Sequence, residues 1–235
     1  FFKALLFLGS GSVIVAMHHE QDIRNMGGLK DRIPVTYMAM LVGTLALTGF
    51  PLTAGYFSKD AIIEAAFVGH NPMALYGFVC TVFAALLTSF YSWRLVFKTF
   101  HGEPHDRQHW RDAHESPWTM LIPLGVLAIG SIAAGYPFKE VFAGHGVGEV
   151  FRQSLTFAPD NKVLEELHHV PLAVALSPAV MMVIGFLVAW LFYIRRPDLP
   201  VELARQHQPL YQFLLNKWYF DELFEVIFVK PAKWL

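Results

Sequence analysis

The chain has 235 residues, of which 54% are hydrophobic and 16% are charged, and its formal net charge is -1. Soluble domains carry about 25% charged residues, so this composition excludes a disordered chain and an ordinary soluble surface. The balanced charge excludes a dominant attraction to nucleic acid. The single cysteine, Cys80, excludes a disulfide framework, a thiolate zinc site and an iron–sulfur cluster built from this chain.

The hydrophobic residues are concentrated in segments of membrane-spanning length, for which about 20 apolar residues are needed. Six segments lie near residues 1–17, 33–49, 52–70, 73–100, 117–137 and 171–194. They are separated by polar, His-rich connections at 18–32 and 101–116, a tight turn at 69–72 and a longer loop at 138–170. Because the first segment starts among apolar residues without an initiator Met, we expect an internal piece of a longer polypeptide.

The last segment, residues 208–235, mixes aromatic side chains with charges such as Lys217, Asp221 and Glu222. It is too charged to span a bilayer and is typical of an interfacial amphipathic helix. The sequence therefore predicts an all-α, polytopic transmembrane helix bundle with a discontinuous helix, followed by the start of an amphipathic lateral helix.

Counting Lys and Arg on alternate sides of six spans predicts the orientation in the membrane. One side receives Arg94, Lys98, Arg107, Arg111, Arg195, Arg196, Arg205 and the basic residues of the C-terminal segment. The other side receives Arg24, Lys30, Arg32, Lys139, Arg152 and Lys162. The first side carries more positive charge and is predicted to be cytoplasmic.

The third apolar segment contains three ionisable residues, Lys59, Asp60 and Glu64. A central ammonium costs about 2.5–3.5 kcal/mol on insertion scales, so its presence indicates a partner, water or a function. Gly49 and Gly55 allow the helix to break nearby, as in transporters whose interrupted helices form ion sites. A buried lysine beside a carboxylate can take up and release a proton. The alternative is an exposed loop that contains Lys59.

Other ionisable residues leave several interpretations open. Lys3 lies too close to the chain start to distinguish a snorkelling lysine from a functional one. His18 and His19 lie near a span end, where imidazoles can shuttle protons or simply face water. Four further histidines approach helical spacing: His101, His105, His109 and His114. Pro104 interrupts that spacing, so a solvated loop is favoured over a metal site.

Several motifs are distributed along the whole chain. They are Phe1-Phe2-Lys3-Ala4-Leu5-Leu6-Phe7-Leu8, His18-His19-Glu20-Gln21-Asp22, Met26-Gly27-Gly28-Leu29, Gly55-Tyr56-Phe57-Ser58-Lys59-Asp60, Phe100-His101-Gly102 and Trp218-Tyr219-Phe220-Asp221. Together they resemble the antiporter-like subunit of respiratory complex I, which is subunit L in bacteria and chain 5 in mitochondria. The resemblance implies a proton-translocating membrane-arm subunit of NADH:quinone oxidoreductase.

The resemblance also implies how the chain is divided and which residues act. Residues 1–100 would form part of the second inverted repeat of the antiporter-like core, 101–207 additional transmembrane helices and loops, and 208–235 the start of the lateral helix. Lys3 would belong to the central hydrophilic axis, and Lys59 would be the terminal proton-transfer residue with Asp60 as its acidic neighbour. Three residues are candidates for an accessory relay: His18, His19 and Glu64.

By the same resemblance, this chain binds no cofactor, and FMN, iron–sulfur clusters and quinone belong to other subunits of the complex. The expected partners are other membrane-arm subunits, especially the adjacent antiporter-like subunit, together with the lipid bilayer and protons. A bacterial inner (plasma) membrane is predicted in preference to a mitochondrial inner membrane. The alternatives are the large subunit of a multisubunit cation/proton antiporter, which shares the lysines, a non-transporting membrane scaffold and a soluble helical bundle.

Overall fold

The computed structural model describes residues 1–144, 146–155 and 163–234, and every regular element in these ranges is a helix. Of the basic residues used for orientation, Lys162 lies outside the described ranges. The chain forms two compact units, Phe1–Ile194 and Arg195–Leu235. The predicted all-α class is confirmed.

The described part of the first unit contains the long apolar helices together with several short ones. They are α1 (Phe2–Ala16), α2 (Pro34–Thr48), α3 (Ala54–Val68), α4 (Ala74–Phe100), α5 (Arg107–Asp112), α6 (Trp118–Ala133), α7 (Gly135–Ala143), α8 (Val147–Phe151), α9 (Val163–Glu166) and α10 (Leu172–Trp190). A π-helical stretch, Leu191–Arg195, continues α10. The predicted loop at 138–170 is wrong in its described part, because α7 continues beyond residue 138 and α8 and α9 follow.

The second unit contains α11 (Leu199–Gln206), α12 (Gln208–Leu215), α13 (Phe220–Phe224) and α14 (Lys230–Trp234), with π-helical turns at Glu225–Val229. Between α12 and α13 the backbone leaves the right-handed helical region. Lys217, Trp218 and Tyr219 have φ angles of 51°, 63° and 57°. Side chains other than glycine rarely adopt this conformation, so the segment predicted as one lateral helix is interrupted here.

Helix length decides which segments can cross a bilayer alone. By length and hydropathy, two helices in the described chain qualify, α4 and the combined Leu172–Arg195 helix. The helices α6 and α7, bent by 56° at their junction, pass the same test only when they are taken together. The helices α1, α2 and α3 have 15 residues each, or about 22 Å at 1.5 Å per residue. That is shorter than the roughly 30 Å hydrocarbon core.

Two polar connections, residues 17–33 and 101–116, pack together and are called the cap below. The amide of Gly28 donates to the carbonyl of His101 at 3.2 Å, and the indole of Trp110 donates to the carbonyl of Gly28 at 2.9 Å. The end of α1, the start of α2 and the end of α4 therefore all lie at the cap. The prediction that these two connections lie on opposite sides of the membrane is wrong.

This topology changes the number of spans. The α2 helix runs away from the cap, whereas α4 runs back to it from the turn at 69–72 across 27 residues, or about 40 Å. The chain between the cap and that turn consists of α2, a connection at 49–53 and α3. We conclude that α2 and α3 are two halves of one broken span, so the segments predicted separately at 33–49 and 52–70 count as one. The predicted break near Gly49 is confirmed.

A carboxylate from the cap holds the start of α2. Glu115 accepts a hydrogen bond from the amide of Val35 at 2.8 Å and from the hydroxyl of Thr36 at 2.5 Å. The first amides of a helix lack partners within the helix, and the helix dipole favours negative charge there. Beneath the cap, the buried Phe100 packs against Tyr37 with ring centroids 5.1 Å apart. These contacts fix α2 relative to α4.

Candidate proton-transfer site

The break between α2 and α3 depends on two glycines. Gly49 ends α2 with a φ of +85°, and its amide donates to the carbonyl of Ala46 at 3.2 Å. The next amide, of Phe50, donates to Leu45 at 2.9 Å, which closes the helix with a left-handed residue as glycine commonly does. A Cβ atom on Gly55 would overlap the carbonyl oxygen of Ala46. The backbone of α3 therefore begins in direct contact with the end of α2.

Lys59 lies on α3 beside this break. A Cβ atom added to Gly49 would be 3.3 Å from Cδ of Lys59, so the lysine stem packs against the end of α2. Its Nζ atom is buried and has no hydrogen-bond partner among the described residues. The C-terminus of a helix carries partial negative charge that favours a cation nearby. Because Lys59 is inside α3, the alternative of an exposed loop is wrong.

Asp60 and Glu64 lie one turn apart on a different surface of α3. Together with Tyr56 and Lys139 they line a cavity of about 190 Å³, which does not include Lys59 among its lining residues. Such a volume holds several water molecules, each of which needs polar partners. The structure thus places Lys59 toward the break and the two carboxylates toward a cavity, with no ion pair between Lys59 and Asp60 in the described chain.

The sequence interpretation missed Lys139 as a member of this site. The bend between α6 and α7 brings α7 against α3, where a Cβ atom on Gly135 would overlap the ring of Phe57. The ammonium of Lys139 lies 5.9 Å from the centroid of that ring, within the range of a cation–π interaction. The Gly135-Tyr136-Pro137 sequence after an apolar run indicates a bend in the helix, but only tertiary packing shows what Lys139 faces.

Lys3 is exposed on the first turn of α1. The preceding residue, Phe2, reaches the start of α3, because a Cβ atom on Gly55 would be 3.6 Å from its ring. Lys3 therefore lies near the level of the break. Among the described residues no hydrogen bond links Lys3 with Lys59, whose Nζ atom has no partner there.

His18 and His19 lie in the cap, with φ angles of 52° and 71°. The ring of His18 is 5.2 Å from that of His109, whose Nδ1 is 2.6 Å from a carboxylate oxygen of Asp106. The backbone amide and the ring of His109 hold the pKa of Asp106 below its ordinary value. The length of α1, about 22 Å, separates these histidines from Lys3, so they are not part of the break.

Metal ligation has no geometric support in the cap. Within residues 1–144, 146–155 and 163–234, no three His, Cys, Asp or Glu side chains converge on a site that could hold a metal ion. Nδ1 of His105 lies 2.8 Å from the carbonyl of Met26, and Nε2 of His101 lies 3.3 Å from the hydroxyl of Tyr37. The ring of His105 thus joins the two connections of the cap, and the ring of His101 joins the cap to α2.

Known proteins resemble the chain along nearly its whole length. Residues 1–88 match the family model described as NADH:quinone oxidoreductase/Mrp antiporter, TM. The chain is 43% identical to NADH-quinone oxidoreductase subunit L of Rhodobacter capsulatus, over 99% of the chain and 42% of that protein. It is 40% identical to NADH-ubiquinone oxidoreductase chain 5 of Dictyostelium citrinum, over 98% of the chain and 35% of that protein.

The chain is a homologue of subunit L, or chain 5, of NADH-quinone oxidoreductase. A third relative, subunit L of Neisseria meningitidis serogroup B, is 36% identical over 99% of the chain and 38% of its own length. The chain thus spans less than half the length of these relatives. The resemblance noted from the motifs at Lys3 and Lys59 is confirmed at the level of the family.

Proposed function

We propose that the chain is part of the antiporter-like membrane subunit of NADH:quinone oxidoreductase and translocates protons through Lys3, Lys59 and Asp60. The observation that carries the proposal is the ammonium group of Lys59. It is buried at a break between two half-helices, without a hydrogen-bond partner in the described chain. Intramembrane ionisable groups at broken helices are characteristic of ion pathways.

The direction of transfer follows from the surroundings of α3. On the side away from the cap, the cavity lined by Asp60 and Glu64 offers proton acceptors and room for water. We assign this cavity to the step after Lys59, with Asp60 as the first acceptor and Glu64 as an accessory one. Lys3 supplies the lateral connection to the preceding part of the subunit, and His18 and His19 serve as accessory groups in the cap.

The basic residues favour a cytoplasmic cap. Six basic residues lie in or beside the cap: Arg24, Lys30, Arg32, Lys98, Arg107 and Arg111. In the described chain between α6 and α10 there are two, Lys139 and Arg152. By the positive-inside rule the cap faces the cytoplasm, in a bacterial inner membrane. This contrast is larger than the one predicted from six spans, because the two connections contribute on the same side.

Proton movement against a potential needs an external energy source, since each charge moved against 100 mV costs about 2.3 kcal/mol. We assign that source to quinone reduction in other subunits, which would hold the FMN and the iron–sulfur clusters. The adjacent antiporter-like subunit is the expected neighbour on the side of Lys3.

The test is Lys59→Met in the full-length subunit within the assembled complex, measured as the rate of NADH-driven proton pumping in inverted membrane vesicles. Pumping is expected to fall by at least about tenfold in rate, as for loss of a proton-transfer group. Lys30→Met is the matched control, because Lys30 is exposed in the cap. Equal pumping by both variants at normal assembly would contradict the relay and favour a scaffold.

The rival function is that of a cation/proton antiporter, because the matching family model covers both kinds of protein. A native gel of mildly solubilised membranes, stained for NADH oxidation, separates the two. Migration of the chain with a large NADH-oxidising band supports the proposal. Migration in a smaller assembly without NADH oxidation assigns the same lysines to sodium-dependent proton exchange.

A further inference from the structure

Lys139 belongs to the walls of two cavities that differ in chemistry. The first is the cavity of about 190 Å³ that contains the carboxyl groups of Asp60 and Glu64. The second has a volume of about 430 Å³ and is lined mainly by aromatic and small apolar residues. Phe57 lines both cavities as well. In the part of the chain that the structure describes, Lys139 is the basic residue of both linings, so a cation and an aromatic ring share the wall between them.

The bend between α6 and α7 holds Lys139 beside α3. Gly135 begins α7, and its Cα packs so closely on Phe57 that an added Cβ atom would overlap the ring. Lys139 follows Gly135 by four residues, so both lie on the same face of α7. The ammonium of Lys139 lies 5.9 Å from the centroid of the Phe57 ring. Because the side chain of Lys139 is exposed, its four-carbon stem is free to rotate.

Asp60 is close enough for this ammonium to reach. Phe57 and Asp60 are three residues apart on α3, which corresponds to a rise of about 4.5 Å, and both line a cavity with Lys139. In the described chain no ion pair joins Lys139 to Asp60, and the ammonium lies by the ring. Rotation about the lysine stem can therefore move the charge from the ring to the carboxyl group.

The charge of the two carboxyl groups decides which position the ammonium prefers. An ionised Asp60 or Glu64 attracts a cation more strongly than an aromatic ring does, because a full negative charge exceeds the partial charge of a ring face. When a carboxyl group binds a proton it becomes neutral, and the ring is then the better partner. The reverse also holds, since an ammonium that approaches a carboxyl group favours its ionised form.

We propose that Lys139 is a positioning residue for proton release, which moves between the ring of Phe57 and the two carboxyl groups. The inference rests on the proposed function and adds the step that empties the cavity. Asp60 takes the proton that Lys59 gives up. Lys139 then approaches, and the proton leaves the carboxyl group, directly or through Glu64, for water on the side away from the cap. The carboxylate is regenerated, Lys139 keeps its own proton throughout, and no redox partner takes part.

Other titratable groups surround this cavity and must be separated from the effect of Lys139. Among the described residues of α3 and of the elements packed against it, they are Tyr56, Lys59, His70, Glu140, Glu166 and His169. His70 and Glu166 form an ion pair at 3.0 Å. Of this set only the histidines ordinarily change charge near neutral pH. The pH measurement is therefore repeated in a His70→Gln, His169→Gln background.

The first arm of the test varies the pH on the release side. Initial rates of NADH-driven pumping are measured in inverted vesicles whose lumen is buffered at about pH 6.5 or about pH 8.5. Lys139→Met is expected to pump about tenfold slower than the unmodified complex at the lower pH and about twofold slower at the higher pH, where base in the lumen removes the proton. Lys139→Gln replaces it if the methionine variant does not assemble.

Two comparisons decide whether the charge of Lys139 is responsible. Lys139→Arg is expected to restore both rates, because arginine keeps the positive charge. Lys30→Met, in the exposed part of the cap, is expected to pump at the unmodified rate at both pH values. A defect of equal size at both pH values in Lys139→Met would show a structural role and overturn the proposal. Loss of the pH effect in the double histidine background would assign it to the histidines and also overturn it.

The second arm tests whether Phe57 acts through Lys139. Phe57→Leu keeps an apolar side chain but removes the aromatic face, and it is expected to slow pumping about two- to fivefold. In the Lys139→Met background the same substitution is expected to have no further effect, because the cation that used the ring is absent. Defects that multiply in the double variant would show that Phe57 only packs against Gly135 and would overturn the proposal.

The outcomes separate this inference from the proposed function. Normal pumping by Lys59→Met together with a pH-dependent defect in Lys139→Met would refute the lysine relay and leave the release step intact. Loss of pumping in Lys59→Met together with a pH-independent defect in Lys139→Met would refute the release step and leave the relay intact.

Discussion

Replacing Gly49 with alanine tests how closely the helix break and Lys59 are linked. Gly49 has a φ of +85°, and an L-residue in this conformation costs about 1–2 kcal/mol. The added Cβ would also lie 3.3 Å from Cδ of Lys59, so the lysine stem must move by a few tenths of an ångström. If displacement of the ammonium raises the activation free energy of proton transfer by about 1 kcal/mol, the proton-transfer rate drops about fivefold.

Gly102→Ala is the matched control for this prediction. Gly102 has a similar φ of +76°, but a Cβ atom there would meet nothing within 4 Å. Both variants are expected to destabilise their own segment by a similar amount, measured by hydrogen exchange in the assembled complex. Only Gly49→Ala is expected to lower the rate of NADH-driven proton pumping. If both variants pump equally, the contact between Gly49 and Lys59 has no role in transfer.

Three further predictions concern the cap and the cavity lined by Asp60 and Glu64. Lys139→Met leaves this cavity without its cation and should slow pumping about two- to tenfold, whereas Lys139→Arg should restore the rate. Equal pumping rates in the two variants would contradict an effect of charge. Glu115→Ala removes the acceptor at the start of α2 and should cost about 1–2 kcal/mol, seen as roughly tenfold faster hydrogen exchange of the first turn of α2. Burial, followed by Lys30, lowers the pKa of His101 below 6.5, so the folded cap resists protonation. The stability of the cap is therefore full above pH 6.5 and falls as the pH drops below that value. Hydrogen exchange of the Gly28 amide, corrected for its intrinsic rate, should show more frequent opening of the cap at about pH 5.5 than at about pH 7.5.

The control for the pH prediction is His101→Phe, which keeps a ring beside Tyr37 and removes the titration. The charged groups that act on His101 are Lys30, which repels the imidazolium, and Asp31, which attracts it. The variant should show the same Gly28 protection at both pH values. Persistence of the pH effect in the variant would assign it to another group of the cap.

Local chemistry explains why the helix break could be predicted from the sequence. Gly49 needs a left-handed backbone and Gly55 allows a backbone contact, and both requirements are visible in the residue types themselves. The apolar neighbours of Lys59 favoured a helical position, but the sequence left an exposed loop open, and the structure places Lys59 inside α3. The break depends on a few consecutive residues, so it could be predicted without tertiary information.

The number of spans depends on contacts that are remote in sequence. Two 15-residue halves each look like a short span, and only the pairing of Gly28 with His101 shows that the chain crosses once between the cap and the turn at 69–72. The membership of Lys139 in the site depends on α7 packing against α3. The Gly135-Tyr136-Pro137 sequence indicates a bend, but no local pattern shows what Lys139 contacts or which connections pair.

Two buried hydroxyls of α4 were equally hidden, because Ser92 and Thr99 are unremarkable in an apolar helix. A serine or threonine inside a helix usually bonds to a carbonyl in the preceding turn, as Thr88 does. Only the structure shows that these two hydroxyls lack such a bond in the described chain and line cavities.

The central claim is that Lys59 carries a proton and is more than a fixed positive charge. Lys59→Arg in the assembled complex tests it most directly, because arginine keeps the charge and does not release its proton in proteins. The account predicts that this variant assembles, oxidises NADH and loses proton pumping as severely as Lys59→Met. Pumping at the unmodified rate in Lys59→Arg would show that only the charge is needed and would contradict the account.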